Sequence, residues 1–263
     1  LVPEIFIPEL LRLIAVSGKM RPLVRKIPMA TDTTNLGSLT TGMTMYWPAE
    51  NQTITQADPV FGQVVLSAKT MAGLTSASVE LEEDSSLDLA QLLATLFAEA
   101  IADEEDKQIT NSNAAPFTGL LHDSGVTVVT MSSGNDTFAE VTFQDLNDVV
   151  DAISARAKQG AMWFFHSKTT TILKKLRDLN HQTIWSQGTQ PGFQTGVVLG
   201  PPATILGYPY VEVDKMPSTT ATSTAFIAFG NPKYHLLGDR KLITVKRSDD
   251  AGVKTNETFW RVT

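Results

Sequence analysis

The chain has 263 residues, 42% of them hydrophobic and 19% charged, the balance of a globular protein able to bury a core without disulfide or metal staples. Cysteine is absent, which excludes disulfides, thiolate nucleophiles, zinc fingers and iron–sulfur sites together. A net charge of −7, from 21 basic and 28 acidic residues, argues against a dedicated nucleic-acid binder with its basic stripe, and no apolar run reaches the roughly 18 residues of a membrane-spanning helix.

The opening stretch LVPEIFIPELLRLIAV lacks a basic lead, carries Glu4, Glu9 and Arg12, and is interrupted by Pro3 and Pro8. It makes a poor signal peptide. Pro8 suits the first turn of a helix, with Leu10, Leu11, Ile14 and Ala15 on one face and Gly18 as its stop. In the following KMRPLVRKIPMATDTT, Pro22 and Pro28 exclude a continuous helix, so the path is extended. A short helix followed by an extended segment buries little against itself and reads as an arm.

From Leu36 to Trp47 the pattern alternates loosely, and FGQVVLSAKTMAGLTSASVELE reads as one long strand. In it Val64, Leu66 and Ala68 alternate against Gln63, Val65, Ser67 and Lys69. Between the two runs lies the polar stretch MYWPAENQTITQADPVF, Met45 to Phe61, with no tight turn and no residue set for chemistry. A hairpin with so long a connection is marginal alone in water, so it should lie on another surface.

The strongest helical signal follows. Ser85 and Asp88 form a capping pair, and Leu89, Leu92, Leu93, Leu96, Phe97, Ala100 and Ile101 make a broad apolar face. The helix is expected to end in the acidic run Asp103–Lys107, where carboxylates oppose the macrodipole. Arg21, Arg25 and Lys26 of the arm, from this chain or a neighbouring copy, are candidate partners; plain solvation of an acidic face is the other reading.

After the loop NSNAAPFTGLLHDSG, Thr142 and Asp145 open a second helix with Leu146, Val149, Val150 and Ile153 on one side and Gly160 beyond its end. AMWFF reads as a buried strand, and Ser167 caps a third helix, KTTTILKKLRDLN. QGTQPGFQTGVVLGPP is Gly- and Gln-rich and reads as a mobile loop. ATILGYPYVEVDKMP and TAFIAFGNPKYHLL read as strands, and DRKLITVKRSDD and ETFWRVT as a further pair. Strands and helices mix without a βα repeat, so the fold class is α+β.

The motifs of chemistry are missing. The sequence has no GxGxxG, GxxxxGK[ST] or GxSxG. His122, His166, His181 and His235 lack the spacing that places two imidazoles on one helix face, and His166 fits a structural role before a helix. The cluster ELEEDSSLD, Glu80 to Asp88, lacks the order of a calcium loop, and its carboxylates suit a helix N-terminus. Trp47, Trp163, Trp185 and Trp260 read first as core or interface anchors. No catalytic residue, metal ligand or cofactor is assigned.

Six stretches in register carry a family resemblance. PELLRLIAVSGKMRPLVRKIPMAT is similar to an N-terminal arm. YWPAENQTITQADPVFGQVVLSAKTMAGLTSASVELEEDSSLDL has the aromatic-x-x-Glu tip, the Asp-x-x-Phe return and the entry to a long helix. AIADEEDKQIT with GLLH, then FFHSKTTTILKKLRDLN, ILGYPYVEVDKMP and AFIAFGNPKYHLLGDRKLITVKR, follow in order. Together they resemble the major capsid proteins of tailed bacteriophages, with the Hong Kong 97-type shell fold.

That resemblance implies an N-terminal arm over residues 1–36 and an extended loop hairpin over 37–75. It further implies a peripheral domain with a spine helix over 76–140, an axial domain over 141–237 and a return to the peripheral domain over 238–263. It implies a structural protein, not an enzyme, that self-assembles as pentamers and hexamers into an icosahedral shell around double-stranded DNA. Portal, scaffold or protease, and decoration proteins are the implied partners, with no membrane; the implied location is the virion, assembled in the host cytoplasm. The expected intersubunit contact residues are Arg21, Arg25, Trp47, Glu50, Asp58 and Phe61. With no lysine between Ile27 and Ala68, and Lys69 on the return strand, the isopeptide weld of some members is not expected, although Asn256 and Glu257 lie in a fitting region. Leu1 as first residue fits removal of a scaffolding segment, and a tail beyond Thr263 is expected. A cellular nanocompartment shell of the same fold and an α+β carboxylate-based hydrolase are the alternatives.

Overall fold

Strand-forming residues fall in short runs separated by Gly, Pro and Asp, and they pair mostly with distant partners. The computed structural model describes residues 18–53, 56–80, 89–113, 115–132, 134–176, 204–219, 221, 223–241, 243–248 and 256–263. In chain order the strands are β1 (Arg25–Pro28), β2 (Thr33–Thr41), β3 (Val60–Ser67), β4 (Gly73–Ser78), β5 (Met162–Phe165), β6 (Thr204–Ile205), β7 (Tyr208–Glu212), β8 (Ile227–Gly230), β9 (Leu236–Asp239), β10 (Val245–Ser248) and β11 (Glu257–Val262). The helices are α1 (Leu89–Thr110), α2 (Phe143–Asp151) and α3 (Ser167–Leu173). The expected first helix, the Ser85–Asp88 cap and the Gly- and Gln-rich loop lie outside the described residues.

Helix α1 packs on a three-stranded antiparallel sheet of order β10-β11-β4. Alternation along β11 turns Thr258, Trp260 and Val262 inward. Trp260 and Val262 share a core with Leu93, Ala94, Ala98 and Ala102, where the small alanines bring helix and sheet close. The apolar face is therefore narrower than its sequence suggests: Leu92 and Leu96 are exposed, and the alanines replace them at the seam. The Thr258 hydroxyl is buried in this layer without a hydrogen-bond partner, an uncompensated desolvation. Thr258→Val is expected to stabilise the fold by about 1 kcal/mol, read as a thermal midpoint roughly 2 °C higher by calorimetry.

The acidic run does not end α1, which continues to Thr110. Its last carbonyls are taken up by a returning loop, with Leu120 N–H donating to Ile109 O at 2.8 Å and Leu121 N–H to Thr110 O at 3.0 Å. The loop crosses so close that a Cβ on Gly119 would lie 2.7 Å from the Thr110 carbonyl. Only glycine fits there.

A second core forms around a four-stranded sheet of order β6-β7-β5-β8. β5 runs parallel to β7 and antiparallel to β8, and being central it is apolar at every position, as AMWFF suggested. Trp163 is fully buried, donates Nε1–H to Ile205 O at 3.1 Å and lies 4.5 Å from the Phe229 ring. Helix α2 covers this core with Leu146, Val149 and Val150. It stops at Asp151, so Ile153 falls in the turn beyond it, not on its face.

The capping pair of α2 is present as read. The Asp145 carboxylate accepts from Thr142 N–H at 2.8 Å, Thr142 Oγ1 at 2.7 Å, Ser132 N–H at 2.9 Å and Ser132 Oγ at 2.7 Å. Burial raises its pKa, but these four hydrogen bonds outweigh it and hold the group below the ordinary 3.8. Its stabilisation is thus complete above that ordinary value and is lost as pH falls through the lower folded-state value. Asp145→Ala is expected to cost about 2 kcal/mol at neutral pH, and chemical denaturation at pH 3 should show a smaller gap between variant and parent. Helix α3 differs from expectation by one position: His166, not Ser167, is the N-cap, accepting at Nδ1 from Lys168 N–H at 3.0 Å.

Candidate assembly surfaces

The segment read as one strand from Phe61 onward is two. Among the described residues β3 pairs only with β2, whereas β4 pairs with β11, and residues 68–72 between them belong to no strand. The break divides a projecting hairpin from the sheet under α1. In the hairpin, β2 and β3 are antiparallel, with a register shift between Leu39 and Thr41. Gly62 sits opposite, where a Cβ would come within 2.8 Å of Thr40 Oγ1. The nine residues of β2 span about 30 Å.

Apolar side chains occupy both faces of this ribbon. Leu36, Val64 and Leu66 lie on one face, and Leu39, Val65 and Phe61 on the other, by the cross-strand register. Leu39, Val60, Phe61, Val64 and Val65 are exposed. Beyond the ladder the connection does turn tightly, contrary to expectation. Gln52 N–H donates to Ala49 O at 3.1 Å, with Asn51 at φ 67°, a left-handed position that Asn tolerates. Trp47 is 100% exposed and Phe61 75%. Glu50 and Asp58 are exposed at the same end, Asp58 accepting from Gln56 Nε2 at 2.9 Å. Trp47, Glu50 and Asp58 thus lie in the connection of the hairpin and Phe61 at the start of its return strand.

Arg21 and Arg25 sit elsewhere. β1 runs parallel to β9 in a two-stranded sheet, and Arg25 on it is exposed. Arg21 reaches two carboxylates of its own chain, Glu105 Oε1 on α1 at 2.6 Å and Asp239 Oδ2 on β9 at 2.8 Å. Beside it, Asp106 accepts from the N–H groups of Lys19 at 2.9 Å and Met20 at 2.9 Å, and Met20 is buried. The acidic run is therefore a clasp for the arm. Asp103 pairs with Lys215 at 2.7 Å and Glu104 with Lys107 at 3.3 Å. Sequence reasoning named Arg21 as a partner for these carboxylates but missed Asp239 and the Asp106 contacts. The hairpin base is tied to β9's exit by the Asp32–Arg240 ion pair, and its two legs are closed there by Ala68 N–H donating to Asp32 O at 2.8 Å.

Titratable groups also line a cavity among the described residues. This cavity, of about 360 Å³, is walled by Met20, Ile109, Leu120 and Phe164, and carries one carboxylate, Asp123, near His235. Burial lowers the His235 pKa, with Asp123 pulling the other way. His122 bonds Asn111 at 3.2 Å, and among the described residues no group of three metal-ligating side chains is close enough to hold an ion. His181 lies outside the described residues.

A clasped arm, a projecting two-stranded loop and a long helix on a sheet, joined to a second sheet-and-helix unit, make an α+β capsid fold of the Hong Kong 97 type. The chain belongs to the phage capsid family, whose profile matches residues 1–263. It is a phage capsid protein with a structural role. Among solved structures, the capsid of a native GTA particle computed with C5 symmetry superposes with a TM-score of 0.77 at 20% identity, over 92% of this chain and 82% of that one. A chain of Microbacterium phage Oxtober96 gives 0.66 at 16% identity over 94% and 82%. The mature capsid of bacteriophage PhiM1 gives 0.58 at 12% identity over 93% and 81%. Among curated proteins, none matches this chain.

Proposed function

We propose that this chain is the major subunit of a closed icosahedral shell, that it assembles as pentamers and hexamers, and that the shell encloses double-stranded DNA. The observation that carries the reading is the hairpin, which exposes apolar residues on both faces and a fully exposed Trp47 at its end. A two-stranded ribbon of this kind is stable only against another surface, and a second copy supplies one. Trp47, Glu50, Asp58 and Phe61 then contact the neighbouring copy, and Arg25 does so from the arm, which Arg21 holds in place. The family membership and the five-fold symmetry with which the GTA capsid was computed support closed rather than filamentous growth.

In this reading α1 with β4, β10 and β11 forms the peripheral domain, residues 76–140 with 238–263, and the sheet of β5 to β8 belongs to the axial domain, residues 141–237. The net charge of −7 suits a wall that packs DNA without trapping it. Portal, scaffold or protease and decoration proteins are further partners, and assembly takes place in the host cytoplasm. The test is light scattering and negative-stain electron microscopy of the purified chain. Closed shells, or rings of five or six copies, uphold the reading; a monomer of 28.6 kDa that persists at high concentration overturns it.

A further inference from the structure

We propose that docking of the N-terminal arm onto α1 is coupled to uptake of a proton at Glu105. Three carboxylates, Glu105, Asp106 and Asp239, converge on arm residues 19–21, and only the Arg21 guanidinium bonds two of them. Glu105 gives one oxygen to Arg21, while its other oxygen, Oε2, is buried and has no hydrogen-bond partner. A charged carboxylate with a dry, unpaired oxygen is costly, and a proton on that oxygen removes the charge while leaving the contact with Arg21. The groups facing Glu105 are Arg21 and Lys26 from the arm, Asp106 on α1 and Asp239 on β9. Those facing Asp106 are Lys19 of the arm, Asp103 and Glu105 on its own helix, and Lys215.

Burial pushes the Glu105 carboxyl above its usual value. Arg21 opposes the rise, and Asp239 and Asp106 reinforce it. Asp106 is raised by burial too, against the pull of the Lys19 and Met20 amides. The sign follows. When the arm lifts, Glu105 meets water and returns to its ordinary pKa of 4.5. The docked arm therefore holds the proton more tightly than the lifted one. Docking is at full strength below that ordinary value and weakens as pH rises through the higher docked-state value. The arm clasp is tighter in mild acid than in alkali, the reverse of an acid-released latch.

Hydrogen exchange at the Lys19 and Met20 amides reports the clasp, because both donate to Asp106. Protection factors, corrected for the intrinsic pH dependence of exchange, should fall severalfold between pH 5 and pH 8 in the full chain. Glu105→Gln keeps the side-chain shape without the charge and should make the profile clearly shallower while leaving both amides protected, the remaining slope belonging to Asp106. Protection that is constant with pH in the parent chain overturns the proposal, as does a slope that is undiminished in Glu105→Gln. An Arg21→Gln control should lower protection at every pH, which separates loss of the clasp from loss of its proton dependence. None of these readouts depends on shell formation.

Discussion

Trp47→Ala is expected to leave the subunit folded and to prevent shell assembly. The indole is 100% exposed, so its removal takes away no packing within the chain, and the thermal midpoint should move by no more than about 1 °C. Between copies the balance differs. A Trp seated at the centre of a contact typically costs 2 kcal/mol or more when truncated, about thirtyfold in the affinity of each contact. In the proposed shell every subunit would both give and receive the hairpin, so the loss would recur at each joint. Far-UV circular dichroism should match the parent chain, while light scattering shows free subunits at concentrations where the parent forms particles. Particles at the parental concentration would remove Trp47 from the contact.

Trp163→Ala is expected to do the opposite, through the same residue type. Its side chain is 0% exposed, packs on Phe229 and bonds Ile205 O. Truncation removes the whole ring from a close-packed core and leaves a buried carbonyl without its donor, at a cost of about 4 kcal/mol. Against a total stability of about 5–15 kcal/mol for a domain, that is enough to unfold the β5–β8 unit in mild denaturant. Urea unfolding followed by tryptophan fluorescence, with the other three Trp as reporters, gives the size of the drop. A midpoint unchanged within error would mean that the core around β5 tolerates the void.

The contrast between these two residues shows what could be read from sequence. Residue-level chemistry was legible: the Thr142–Asp145 cap, the all-apolar β5, and the pairing of DRKLITVKRSDD with ETFWRVT, found as β10 and β11. So were the polar projection from Met45 to Phe61 and the fold, through motifs in register. Long-range partners were not. Nothing near Ala68 announces that β3 and β4 face different neighbours, because the neighbour of β4 is β11, near the far end of the chain. The acidic run at Asp103–Lys107 looked like a helix end for the same reason. Its carboxylates oppose the local dipole, and their justification lies in Lys19, Met20, Arg21 and Lys215. The turn at Asn51 is a local feature that was missed, since one Asn tolerating a positive φ is a weak signal in a polar stretch. The proposed contact residues divide likewise: Trp47 and Phe61 stand out by being large and exposed at the end of a ribbon, while Arg21 shows its partners within the chain only once Asp239 is beside it.

The parallel pairing of β1 with β9 bears on mechanical load. Four residue pairs, Arg25 with Leu236 through Pro28 with Asp239, lie in continuous register. In a parallel ladder the hydrogen bonds are evenly spaced along the strands, so a pull directed along β1 loads them in shear, all together, rather than unzipping them one after another. The hairpin continues from β1 after four residues, and its base is fastened to β9's exit through Asp32 and Arg240. Tension applied to the hairpin by an outward-pushed neighbour would enter the subunit through this short ladder, in the direction in which it yields least readily.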